Sequence, residues 1–244
     1  MFRFLVGFCL LFCSFILRSD DVVMAFGDAI PPFSFPETNS GIELEVIGAA
    51  LAHRNHRLVP KYYPLARVPV AFALGEVQAA MTDLGKKMAN PVYHGDPAVV
   101  YNNVLITLKE RNISINKPED LTGLSVISFQ GALKRYPQWL EPIKTAGKYL
   151  EQNNQMLQVL TLNEGHYDVV LSDKNIFQYY ALQVKLKKGH DINPVQFHNF
   201  VELNPLDYRP VFWDKVLRDD FNEGLAYLKE TGRYKAIYDK YLKE

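Results

Sequence analysis

Cysteine is almost missing from these 244 residues: there are two, Cys9 and Cys13, both near the start. The rest of the chain can form no internal disulfide, so a secreted domain of this sequence must be held by its core. An excess of one charge is missing as well, with 27 Lys and Arg against 27 Asp and Glu. Without a basic stripe, nothing points to nucleic acid as a partner. Beyond the first residues no apolar run approaches the ~20 residues that a membrane-spanning helix needs. Exact internal repeats and low-complexity stretches are absent. So are the marks of catalysis: no matched carboxylates, no metal-ligand spacing and no nucleophile beside a histidine. The six histidines are scattered, and His53 and His56, three apart near a helix end, read as a solvated face. No metal or cofactor is expected, and the partner is a small molecule or another protein.

What is present begins with a leader. Met1-Phe2-Arg3 carries one positive charge, residues 4–17 are almost unbroken apolar sequence, and polarity returns at Arg18-Ser19-Asp20-Asp21. A charged start, a brief apolar core and a polar exit read as a secretory signal peptide over residues 1–19. The apolar run is short for a membrane anchor. Phe8 and Phe12 precede the two cysteines, where lipidation would want a small residue. The expectation is a secreted, soluble, monomeric chain starting near Asp20 and inserting in no membrane. Of 27 basic residues Arg3 and Arg18 leave with the leader, so 25 then face 27 acidic ones. The remaining length suffices for one large domain or two lobes.

Strand and helix patterns alternate along that length. Residues 22–26 form an apolar run ended by Gly27-Asp28 and Pro31-Pro32, and Gly41 precedes Ile42, Val46, Ala49 and Ala50 at helical spacing. A strand is expected around Leu58 to Tyr63, a helix over 68–74, a strand over 77–82 and a long extended run over 99–108. A second set follows: a turn at 118–121, a strand over 124–129, a helix that breaks at Pro137, a helix over 156–163, a strand over 167–172 and a helix over 175–183. At the end, Val216, Leu217, Phe221, Leu225 and Leu228 share one face, and Ile237 and Tyr241 another. Such alternation predicts parallel sheets flanked by helices, in two units.

The order and spacing of short motifs resemble the amino-acid-binding branch of the type II periplasmic solute-binding proteins. Pro31-Pro32-Phe33-Ser34-Phe35, Gly41-Ile42-Glu43-Leu44-Glu45-Val46, and Ala73-Leu74-Gly75-Glu76-Val77 are similar to successive motifs of that family. Asp96-Pro97, Glu119-Asp120-Leu121-Thr122-Gly123, the run from Asn163 to Val170 and the tail from Thr231 to Tyr241 continue the series. The resemblance implies two α/β lobes joined by extended crossovers near 101–105 and 202–208. Residues 20–101 and 206–244 would form the first lobe and 102–205 the second. A small polar solute, amino-acid-like or an amine, would lie between them and be buried by hinge closure, for delivery to an ABC permease or for sensing. Helix N-termini facing the cleft, if uncompensated, would suit a carboxylate.

The resemblance also assigns candidate contacts, and this sequence departs from the family at several. The family's carboxylate-clamping arginine falls on Asn90, which lacks both the charge and the five-donor fork. Lys86 and Lys87 stand close by, as substitutes or as ordinary surface lysines. Ile30 and Leu65 occupy positions that are usually aromatic, so neither has a π-face for a cation. Phe129, before the Gln130-Gly131 turn, is a cleft wall or a core residue, and Ala132 replaces a hydroxyl. Asp173 ends a predicted strand, where α/β folds bind ligands, and is either the acceptor for a ligand ammonium or a helix cap. Asp28 reaches the cleft or stabilises its turn. Asp168 reads as structural. By this reading the contacts are Asp28, Ile30, Leu65, Lys87, Asn90, Phe129, Gln130 and Asp173, with no catalytic residue.

Overall fold

The computed structural model describes residues 20–202 and 209–243, so the expected leader and most of the second crossover lie outside the described residues. Two five-stranded sheets organise the chain. In the first, β1 (Asp20–Gly27) lies parallel to β2 (His56–Tyr63), with α1 (Ile42–Ala52) connecting them. After α2 (Val68–Ala73) come the two-residue strands β3 (Ala79–Ala80) and β4 (Tyr93–His94). The second sheet is built from β5 (Asn103–Leu108), β6 (Val126–Ser128), β7 (Tyr149–Glu151), β8 (Val169–Asp173) and β9 (Val195–His198). Its helices are α3 (Ala132–Arg135), α4 (Pro137–Thr145), α5 (Gln155–Asn163) and α6 (Lys174–Lys188). The chain then returns to the first sheet with β10 (Val211–Phe212), followed by α7 (Lys215–Glu230) and α8 (Arg233–Leu242). The orders are β2-β1-β3-β10-β4 and β7-β6-β8-β5-β9.

Both sheets are mixed, which corrects the expectation of parallel ones. β10 runs antiparallel to β3 and β4, and β5 antiparallel to β8 and β9. The reason is topological: these strands arrive from the other half of the chain rather than through a helical crossover within one sheet. Val22, Met24 and Phe26 on β1 are fully buried together with Ala25, the signature of a strand covered on both faces. Helices α1 and α7 pack on this sheet so closely that a Cβ on Gly224 would overlap the Ala50 carbonyl. In α7, capped by Asp214 through the Leu217 N–H at 2.8 Å, Leu217, Phe221, Leu225 and Leu228 are buried. Val216 is not: it is 67% exposed, one position off the face that meets α1. His53 stacks on Tyr227 at 4.5 Å and His56 Nε2 lies 2.8 Å from Asp220 Oδ2, so both rest against α7, His53 remaining exposed as expected and His56 half-buried.

Helix α6 belongs to the second sheet but touches both cores. Phe177 and Val184 pack in the second lobe, whereas Ile176 is buried within the first lobe's cluster. Farther along, Tyr179 meets the Phe35 ring edge-on at 5.8 Å, and Phe35 stacks on Tyr241 of α8 at 5.8 Å. The N-terminus of α6 is therefore fixed at the junction of the lobes, beside β5, where the chain crosses between them.

Candidate functional site

A cleft of about 290 Å³ opens at that junction. Ile30, Leu65 and Met81 give it an apolar wall from the first lobe. Their side chains converge on Gly27: a Cβ there would sit 3.6–3.7 Å from Ile30 Cδ1, Leu65 Cδ1 and Met81 Sδ, and the Gly27 N–H points at Met81 Sδ at 3.1 Å. The second lobe supplies Phe129, Gln130, Arg135, Gln152, Asn153 and Gln155, a wall rich in side-chain amides. Tyr101, Asn103, Asp173 and Ile176, from the crossing strand and the start of α6, complete the lining. Such a cavity offers hydrophobic contact on one side and many hydrogen-bonding groups on the other, the usual make-up of a small-molecule pocket.

Asp173 is the buried charge of the cleft, 3% exposed. One carboxylate oxygen accepts the N–H groups of Asn175 and Ile176 at 2.9 and 3.0 Å, capping α6. The other accepts the Asn102 N–H at 2.6 Å. Burial pushes its pKa up to about 6 even though all three N–H groups favour the ionised form. Asp173 is thus a helix cap and also lines the cleft, and with ~four acceptor positions on a carboxylate it keeps capacity for a further donor. A second acid, Glu43 at the start of α1, is 1% exposed; burial raises it to about 8, opposed by a hydrogen bond from Tyr101. Tyr238 of α8 stands near both acids, and its hydroxyl is raised by burial, by Tyr234, and by Asp173 and Glu43.

Five of the eight sequence-derived contacts, Ile30, Leu65, Phe129, Gln130 and Asp173, come together in the cleft. Asp28, Lys87 and Asn90 are exposed and lie outside its lining. The loop carrying Lys87 and Asn90 follows Leu84 and Gly85, both in the left-handed region (φ 52° and 68°). Asp168 does structural work, accepting Ser125 N and Oγ at 2.8 and 2.9 Å and pairing with Arg111 at 2.6 Å. Sequence reasoning missed Met81, Tyr101, Asn103, Arg135, Gln152, Asn153, Gln155 and Ile176. Met81 lies near the C-terminal end of an expected strand, 77–82, and was open to discovery on that ground; Gln152 and Asn153 follow a three-residue strand that carries no periodic signal.

The helix N-termini at the cleft are partly capped from within the chain. Asp173 takes the first-turn donors of α6, Asn154 Oδ1 takes the Leu157 N–H of α5 at 3.1 Å, and Glu151 takes Gly131 and Leu133 N–H at 2.9 and 3.0 Å where α3 begins. Several of the N–H groups on which a ligand carboxylate could rest are thus taken by capping side chains of this chain.

No protein-family model and no curated protein matches the chain. Solved structures do. An ancestral cationic amino acid solute-binding protein is 19% identical, covering 93% of this chain and 98% of that one, with a TM-score of 0.67. The second substrate-binding domain of GlnP from Lactococcus lactis, in its open conformation, is 18% identical over 93% of this chain and 97% of its own, with a TM-score of 0.60. A histidine kinase sensor domain with similarity to periplasmic binding proteins is 20% identical over 92% and 97%, with a TM-score of 0.59. At such identities the likeness bears on the fold. Two mixed sheets with their helices, joined by a crossing strand and enclosing a cleft between them, give this chain the two-lobed α/β fold of the type II periplasmic binding proteins.

Proposed function

We propose that this chain is a solute receptor: it captures a small polar molecule, an amine or amino-acid relative, in the cleft and buries it by closing the lobes. The observation that carries this is the composition of the cleft, whose lining comes from both lobes and meets at Asp173. Ile30, Leu65 and Phe129 would pack on the ligand's apolar part, and Gln130 would hydrogen-bond its polar part. Asp173 would pair with a ligand ammonium, charge-assisted and largely out of water. The hinge would run through residues 101–105 and 202–208, with 20–101 and 206–244 on one side and 102–205 on the other. Removal of residues 1–19 would release a monomer into the periplasm, where an ABC permease would receive the solute. Catalysis has no part in this reading.

Sensing is the second reading, favoured by the likeness to a histidine kinase sensor domain. In that case closure would be read by a signalling partner. The test of binding is the same for both: mass spectrometry of small molecules released from the purified, denatured protein. A stoichiometric polar compound that rebinds and whose affinity falls with cleft substitutions supports the receptor reading. Rebinding unaffected by substitutions at Asp173 and Phe129 contradicts it.

A further inference from the structure

Among the described residues that line the cleft, one is a cation and one an acid: Arg135 and Asp173. The apolar wall of the first lobe has nothing to offer a charged group. Asn90, where the resemblance sets an arginine, is exposed and outside the lining. Pairing with a guest's negative charge in the cleft therefore falls to the second lobe.

Arg135, the last residue of α3, is exposed, and the tyrosine beside it fixes its guanidinium. The guanidinium carbon lies 5.6 Å from the centre of the Tyr136 ring, and Nε donates to the Tyr136 hydroxyl at 3.0 Å. That ring is anchored edge-on against Phe200 at 4.9 Å. From the other side, Asn103 Nδ2 donates to the same hydroxyl at 2.9 Å. A phenol that accepts from two donors still has its own O–H to give, and Asn103 has a second amide N–H. Guanidinium, phenol and amide form one cluster rich in donors, and two of its members, Arg135 and Asn103, line the cleft. A carboxylate, which only accepts, suits such a cluster.

The cluster has a set place relative to the acid. Asn103 on β5 pairs with Asp173 on β8 in the antiparallel ladder. Side chains directly opposite in such a pair stand on one face of the sheet, their Cβ atoms ~5 Å apart. Asn103 therefore brings the donor cluster alongside the Asp173 carboxylate. A guest that meets both carries its ammonium and its carboxylate on the same carbon or on neighbouring ones.

We infer that Arg135, Tyr136 and Asn103 are specificity-determining residues: they form a carboxylate subsite on the second lobe, so that the cleft takes a small zwitterion with its ammonium at Asp173. This rests on the cleft being the ligand site.

Calorimetric titration of the purified chain, stripped of solute, tests this. The probes are the common α-amino acids, with the methyl ester and the decarboxylated amine of each one that binds. At least one amino acid binds, and its ester and amine bind at least about tenfold more weakly. Arg135→Met lowers affinity for the acid by about tenfold or more, and Tyr136→Phe, which keeps the ring against Phe200, lowers it severalfold. Thermal melting confirms that each variant is folded. Affinity for the ester stays within about twofold of wild type in both, which separates a lost carboxylate contact from general damage to the cleft. Three results each overturn the inference: no amino acid binds, an ester or amine binds as tightly as its acid, or the folded variants keep wild-type affinity for the acid. The receptor reading fails by a different sign, a released solute whose rebinding ignores Asp173 and Phe129.

Discussion

The Asn102 N–H donates to the Asp173 carboxylate at 2.6 Å, and the Lys174 N–H returns a bond to the Asn102 carbonyl at 2.9 Å. This pair joins the buried acid of the cleft to the strand that crosses between the lobes. A charge placed on Asp173 would therefore act at the proposed hinge, and substitutions there test structure and recognition together.

Asp173→Asn keeps one oxygen for the α6 cap but turns an amide N–H toward a donor, whereas Asp173→Ala removes both acceptors. Stability should fall by about 1 kcal/mol for Asn and by about 2 kcal/mol for Ala. Affinity for a cationic solute should fall more than tenfold in both, since a partly buried charged pair typically contributes ~2–5 kcal/mol when one partner is removed. Thermal melts and calorimetric titration separate the two effects. Wild-type affinity in Asp173→Asn would confine Asp173 to capping.

Binding of an ammonium should depend on pH in a stated direction. With the free carboxyl at about 6, Asp173 is mostly protonated below that value and must ionise to pair. Affinity should weaken by up to about tenfold for each unit below pH 6 and level off above it. A titration series that is flat across this range would show that Asp173 does not carry the recognition.

Glu43 should show itself in stability rather than binding. Its pKa is raised in the folded state to about 8, so the native chain binds more protons than the unfolded chain between the ordinary carboxylate range and that value. Stability must then fall as pH rises through this window. At about 1.4 kcal/mol per unit the effect is on the order of several kcal/mol at most, shared with Tyr101, Tyr238 and Asp173 around it. Glu43→Gln should flatten the melting temperature between pH 6 and 8 relative to the wild type. An unchanged slope would place the titrating group elsewhere.

Gly224 is fixed by the contact of α7 with α1, because a Cβ would overlap the Ala50 carbonyl. Gly224→Ala should destabilise the first lobe by about 1–3 kcal/mol despite its better helix propensity. An equal or higher melting temperature would mean that the helices separate at little cost.

Much of this was legible in the chain because its signals are local. Gly41 before an apolar helix, Asp173 at a strand end and the buried run at Val22 to Phe26 all fall where the pattern puts them. Asp173 fits both alternatives the sequence offers, being a cap for α6 that also lines the cleft. What depends on distant partners was not legible. The two residues of β10 carry no period of their own and are strand only because β3 and β4 flank them. The resemblance sets Asn90 at the family's arginine position, but its side chain is exposed and outside the cleft lining. Glu151 looked like any surface acid, since its four donors come from a loop some twenty residues earlier and from Tyr149 beside it.

Closure of the lobes on a solute is read out by small-angle scattering. The purified chain, stripped of solute by unfolding and refolding, is compared with the same sample after return of the compound identified by mass spectrometry. A smaller radius of gyration is expected at saturation, as the lobes close on the cleft. An identical profile with solute demonstrably bound would contradict it.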